Sequence, residues 1–213
     1  MKRTRLVFSG SGGQGVITAA IILAEAAVIY EGMNATQSQS YGAAARGGAT
    51  RSDIIISESQ INFFGVVQPN ILVCLTQEAY NLYSTIIRPG GTLITDSRFV
   101  TTAKKTDARQ TELPMYETVM EKIGKPIVFN ICVLGALIGA TELLRPDSVM
   151  KAIGDKVPKD FLQMNNTAFE LGLELAGEEG QPLTLPVPVW RVDKVCIVIS
   201  RVACHLLANP LGF

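Results

Sequence analysis

Apolar residues in this chain come in short blocks divided by polar, glycine-rich punctuation. "RLVFS" at 5–9 reads as a buried first strand. The Ala-, Ile- and Leu-rich run 16–30 has no interior Gly or Pro and reads as a helix that stops at Gly32. The next stretch, "TQSQSYGAAARGGATRS" at 36–52, is polar, and much of it reads as an ordered functional loop. "SDIIIS" at 52–57 and "NILVCLT" at 70–76 are short β-branched blocks, the signature of buried strands. A helix is expected over 78–87. "RPGGTLITDS" then supplies a helix stop, a turn and a strand at 92–95. Further helices are expected over 114–123, 130–144, 147–153 and 160–175, with Gly135 and Gly139 allowing close contact in the second.

Strands alternating with helices predict an α/β, Rossmann-like fold with a mostly parallel sheet covered by helices. The expected domain is 1–176. From Gly177 the composition changes to "GEEGQPLTLPVPVW", with three prolines, and 177–213 reads as a C-terminal extension. It holds Trp190, Cys196, Cys204 and His205. The eight-residue step between its cysteines fits no common metal site.

Composition narrows the function. At 47% hydrophobic residues the chain can build a core. Lys and Arg number 19, as do Asp and Glu, so there is no basic excess for nucleic acid. None of the four cysteines forms a C-x-x-C pair, which argues against cluster or zinc ligation. No apolar run suits a signal sequence or a membrane span, and a cytoplasmic location is expected.

Candidate chemistry begins at "SGSGGQG", where Gly10, Gly12 and Gly15 complete a G-x-G-x-x-G between strand and helix. In a dinucleotide site these glycines make the turn, admit a pyrophosphate and seat the helix. An acid should then end the second strand and hold the ribose, but the region reads "GMNATQSQS". An NAD-dependent dehydrogenase is therefore disfavoured. A packing turn and a site for another anionic ligand both stand. At Gly12 a side chain would fill ligand space and oppose any positive φ. Gly13 belongs to the same cradle. The Gln14 amide can donate and accept, so it either recognises a ligand or is merely solvated. In the polar stretch, Tyr41 offers a ring and a hydroxyl. Arg46, beside Gly47 and Gly48, offers a guanidinium fork for carboxylate or phosphate.

"GSGGQG", "QSQSYGAAARGGATRSDIIIS", "RPGGTLITDS" and "FNICVLGALIGATELL", in that order, resemble the gamma subunit of the 2-oxoacid:ferredoxin oxidoreductases, and most of all the 2-oxoglutarate branch. The resemblance runs from about Arg5 to about Leu175. It implies a component of an enzyme that oxidatively decarboxylates a 2-oxoacid, passes electrons to ferredoxin and makes an acyl-coenzyme A. Thiamine diphosphate and iron–sulfur clusters are expected in alpha, beta and ferredoxin-like delta partner subunits, with no cofactor held by this chain alone. The G-D-G motif of a thiamine site is missing; the nearest triplet is Gly154-Asp155-Lys156. Gly10, Gly12, Gly13, Gln14, Gly15, Tyr41, Arg46, Gly47 and Gly48 are then candidates for a coenzyme A cleft, and no catalytic residue is assigned. The other reading of the same residues is a stand-alone nucleotide- or anion-binding module.

Overall fold

The computed structural model describes residues 3–40, 49–103 and 106–179. The extension from 180 onward, Tyr41, Arg46, Gly47 and Gly48 all lie outside the described residues.

Six strands form one sheet in the order β2-β3-β1-β4-β5-β6. They are β1 (Arg3–Ser11), β2 (Asn34–Ser40), β3 (Ala49–Ser57), β4 (Ile71–Cys74), β5 (Gly91–Asp96) and β6 (Ala108–Leu113). β1, β4, β5 and β6 pair in parallel, while β3 is antiparallel to both β1 and β2. β2 thus points the same way as β1, and β3 alone opposes the rest. The expected, mostly parallel α/β sheet is present.

Among the described residues, the two faces of the sheet are covered unequally. Leu6, Phe8, Ile54, Val73 and Ile94 face a large core. It is roofed by α1 (Val16–Glu25), α3 (Met115–Lys122), α4 (Phe129–Thr141), α5 (Pro146–Lys156) and α6 (Lys159–Glu179). Val7, Ile55, Leu72 and Leu93 face a smaller core against α2 (Gln77–Tyr83) and the β3–β4 loop. Helix α4 is buried on every side from Phe129 to Ile138, which its all-round apolar sequence requires. It lies against α6 through glycines: a Cβ on Gly135 would stand 2.1 Å from the Phe169 carbonyl oxygen, and one on Gly172 2.0 Å from that of Cys132. The close contact expected of Gly135 and Gly139 is present, because a Cβ on Gly139 would also meet Ala176 at 2.8 Å.

Local expectations are refined. In the stretch 36–52 the flanks, through Ser40 and from Ala49, belong to β2 and β3, paired from Asn34↔Ser57 to Ser40↔Arg51. β2 sits at the sheet edge, so it satisfies half its backbone groups with β3 and keeps a polar, largely solvated sequence. The polar edge strand β6 was not foreseen, for the same reason. The first helix turns π-helical over Ala26–Tyr30 before ending at Gly32, whose φ is 66°. No helix among the described residues is long and apolar enough to cross a membrane.

Candidate functional site

The segments after β1 and β4 leave the sheet on opposite faces. α1 packs on the face of Leu6 and Phe8, and α2 on that of Val7 and Leu72. Because β1 and β4 are neighbours, the space outside their carboxyl ends is the topological switch point, the crevice in which open α/β sheets bind ligands. The turn 10–15 forms one wall and residues 75–77 the other.

Each glycine of the turn has a distinct environment. A Cβ on Gly10 would stand 2.5 Å from Gln14 Oε1 and 3.2 Å from Leu75 Cβ, so this position must be bare for the two walls to meet. Gly12 and Gly13 are exposed, and a Cβ on either would touch nothing within 4 Å. This is open space for a ligand to approach the backbone. The left-handed residues are Gly13, at φ 92°, and Gly15, at φ 70°; Gly12 is not one of them. Gly12 therefore has no positive φ for a side chain to oppose, because the chain reverses one residue later. Gly15 starts α1, and a Cβ there would stand 2.7 Å from the Asn130 side chain.

Gln14 joins the two walls. Its Oε1 accepts the Ser11 N–H at 2.8 Å, and its Nε2 donates to the Leu75 carbonyl at 3.3 Å. Both ends of the amide are engaged within the chain, so in this structure the side chain braces the turn against the end of β4. Asn130, on α4, is 8% exposed and donates to the Gly15 carbonyl at 3.4 Å. The sequence reading missed it; the signal was a lone amide in the apolar run "FNICVLGALIG".

The turn shares features with helix starts that bind anions. No side chain caps α1 and no acidic residue lies in its first turn. Its first N–H groups therefore have no partner within the helix, and the positive end of the helix dipole faces the crevice. The side chains of residues 10–15 and 75–77 are neutral and carry no titratable acid or base; their hydroxyls are those of Ser11 and of Thr76, which caps α2 by accepting the Ala79 N–H at 3.2 Å. Pairing of Ser11 with Ala49, and of Ser40 with Arg51, places both ends of the β2–β3 hairpin at this same edge. The described strands therefore end, at Ser40 and Ala49, on the side of the glycine turn.

A dinucleotide is poorly served here. β2 carries no carboxylate, and β3 separates it from β1. A ribose-binding group on β2 would be two strand spacings away, roughly 9–10 Å.

The nearby titratable groups are structural. Asp96 ends β5 fully buried, and its carboxylate accepts the N–H groups of Arg98 at 3.0 Å and Tyr116 at 2.8 Å. Burial pushes its pKa up, against those two bonds. It fixes the start of α3 beneath the edge-to-face rings of Phe99, Tyr116 and Phe129. Burial also pushes the thiols of Cys74 and Cys132 up to about 12, so both are inert at neutral pH. Gly154-Asp155-Lys156 closes α5, where Asp155 accepts the Tyr30 hydroxyl and Lys156 pairs with Glu25 at 2.7 Å. Among the described residues no three His, Cys, Asp or Glu side chains gather to hold a metal ion. Cys196, Cys204 and His205 lie outside the described residues.

Comparison with known proteins fits this geometry. Residues 5–175 match the family model for pyruvate ferredoxin/flavodoxin oxidoreductase. The chain is 43% identical to 2-oxoglutarate synthase subunit KorC of Methanocaldococcus jannaschii over 178 residues, 83% of this chain and 95% of that one. Among solved structures it resembles the keto/oxoacid ferredoxin oxidoreductase gamma subunit of Geobacter sulfurreducens, with a TM-score of 0.77, 40% identity and coverage of 84% of this chain and 98% of that one. It also shares its fold with 2-oxoglutarate:ferredoxin oxidoreductase from Magnetococcus marinus, solved with 2-oxoglutarate, coenzyme A and succinyl-CoA bound. There the TM-score is 0.77 and the identity 21%, and the match covers 85% of this chain but 32% of that one. The chain belongs to the pyruvate ferredoxin/flavodoxin oxidoreductase family.

Proposed function

We propose that this chain is the gamma-type subunit of a multi-subunit 2-oxoacid:ferredoxin oxidoreductase whose substrate is 2-oxoglutarate. The observation that carries the reading is the match along nearly the whole length of a 2-oxoglutarate synthase subunit. The site agrees with a supporting role. Its described walls carry no titratable side chain, and on this reading oxidative decarboxylation belongs to alpha, beta and ferredoxin-like delta partners. Those chains carry thiamine diphosphate and iron–sulfur clusters, with ferredoxin as the acceptor. What the crevice offers is anion binding: an uncapped helix start and two exposed glycines suit the phosphates of coenzyme A. Gly10, Gly15, Gln14 and Asn130 hold the turn in that form. Tyr41, Arg46, Gly47 and Gly48 are assigned to the same ligand on their chemistry, a ring, a hydroxyl and a guanidinium fork, because the strands that flank them end at this edge.

Reconstitution tests this. The purified chain should show no oxidation of 2-oxoglutarate with a dye acceptor, and activity should appear on adding the partner subunits with coenzyme A. Turnover by the chain alone would refute the assignment. So would a complete enzyme whose rate is unchanged when this chain is left out.

A further inference from the structure

Thr50 is the second residue of β3, and it pairs directly with Gly10 of the glycine turn. Side chains alternate along a strand, so its face is fixed by its neighbours. Leu6 and Phe8 of β1 and Ile54 and Ile56 of β3 enter the core roofed by α1. Thr50 precedes Ile54 by four positions and therefore shares that face, next to Gly10. A Cβ on Gly10 would meet Gln14 Oε1 at 2.5 Å and Val16 Cγ2 at 3.0 Å, so the turn and the first residue of α1 lie over that point. Directly opposed residues of an antiparallel pair hold their Cβ positions roughly 4.5–5.5 Å apart. Thr50 thus flanks the start of α1 on the β3 side, while Leu75 closes the β4 side.

The side chain is held there. Its branched Cβ restricts the rotamers, and the Thr50 carbonyl accepts the Ser9 hydroxyl at 3.2 Å. Thr50 is only 7% exposed, yet its hydroxyl has no hydrogen-bond partner among the described residues. Hydroxyls this deeply buried normally have one. The hydroxyls of Thr36 and Thr95 also lack partners, but they are sealed from solvent and lie on the other face of the sheet. Thr36 pairs with Ile55 and Thr95 with Cys74, both in the smaller core. The Thr50 hydroxyl is not sealed, so an entering ligand can reach it.

The start of α1 and Thr50 offer the same kind of group. The helix presents N–H donors that have no partner within it, with no acid in its first turn, and a threonine hydroxyl supplies one more donor. Converging donors without an acid suit an anionic oxygen. We infer that Thr50 is a ligand-binding residue of the glycine turn, its hydroxyl donating to an anionic oxygen of the ligand beside the N–H groups that start α1. The inference rests on the coenzyme A reading proposed above, and the oxygen then belongs to one of that molecule's phosphates.

The test is steady-state kinetics of the reconstituted enzyme with coenzyme A varied. Thr50→Val keeps the branched shape and removes the hydroxyl. It should raise KM for coenzyme A about tenfold, the scale of one hydrogen bond to a charged group. The kcat, the KM for 2-oxoglutarate and the melting temperature should stay at wild-type values. Thr50→Ser keeps the donor and should restore the wild-type KM for coenzyme A. An unchanged KM for coenzyme A in Thr50→Val would overturn the contact, as would equal impairment in Thr50→Ser. A KM rise shared by 2-oxoglutarate, or a lowered melting temperature, would also overturn it by placing the role of the hydroxyl inside the fold. Each of these leaves the subunit reading standing. A wild-type enzyme that turns over without this chain, or without dependence on coenzyme A, would refute that reading and the contact with it.

Discussion

Substituting Gly172 by alanine adds one methyl group where α6 crosses α4. The new Cβ would lie 2.0 Å from the Cys132 carbonyl oxygen and 2.7 Å from the Ala136 nitrogen, where ordinary contact begins near 3.4 Å. Both obstacles are backbone atoms of a fully buried helix, so no rotamer change can relieve them. The helices must part by on the order of 1 Å, and a gap of that size forfeits a quarter to a half of each contact's attraction. Overpacking of this kind costs about 1–3 kcal/mol or somewhat more. Against that stands the alanine's gain in helix propensity, up to about 1 kcal/mol. With overpacking at about 3 kcal/mol, because neither obstacle can move aside, the net expectation is a loss of about 2 kcal/mol, or a fall in Tm of roughly 4–8 °C for a domain of this size. Gly177→Ala, on the same helix with open space around the new Cβ, should instead gain about 0.5–1 kcal/mol. Urea unfolding followed by far-ultraviolet circular dichroism measures both. A Gly172→Ala protein within 0.5 kcal/mol of the wild type, on the scale of an ordinary surface change, would refute the packing argument. So would an equal loss in Gly177→Ala.

At the glycine turn, Gly12→Ala should leave stability unchanged and weaken coenzyme A dependence of the reconstituted enzyme about tenfold, whereas Gly15→Ala should cost about 1–2 kcal/mol for its left-handed backbone alone; melting curves and apparent coenzyme A affinities separate the two. Burial pushes Glu31 up, but the Arg145 N–H at 2.9 Å, the Ser148 hydroxyl and the Arg145 guanidinium hold its carboxyl below 4.5 overall. The stability it adds is therefore present above that value and lost as pH falls through the lowered one, so the advantage of wild type over Glu31→Gln should shrink in acid unfolding series. Asp96 has the opposite sign: its burial-raised pKa means stability that is present below 3.8 and lost as pH rises through the raised value. Wild type should accordingly lose ground to Asp96→Asn on going from acid to neutral pH, and a flat difference would contradict the burial of that carboxylate. Cys74 and Cys132, their thiols pushed up to about 12, should resist alkylation in the native protein and react on unfolding, as peptide mass mapping would show.

Periodicity and punctuation carried most of the fold. The apolar blocks of β1, β3, β4 and β5 are read from composition because a strand covered on both faces must be apolar throughout. The small residues at 135 and 139 announced a close helix crossing, since nothing else explains bare positions in a buried helix. The motif order also pointed to the family. Edge strands escaped, because β2 and β6 keep polar side chains wherever only one neighbour and solvent surround them. Strand order is likewise a tertiary outcome: only pairing of distant segments sets β3 between β1 and β2 and takes the dinucleotide reading away from a G-x-G-x-x-G. The same holds for Gln14, whose amide is free in a linear reading but meets Leu75 across 61 residues of chain, and for Asn130, which meets Gly15 across 115. The sequence by itself determined which segments are apolar and which turns need glycine, because those follow from local solvation and backbone sterics. The tertiary structure alone decided which face is left thin, which amides brace the turn and which strand borders the crevice, because these depend on contacts between residues far apart in the chain.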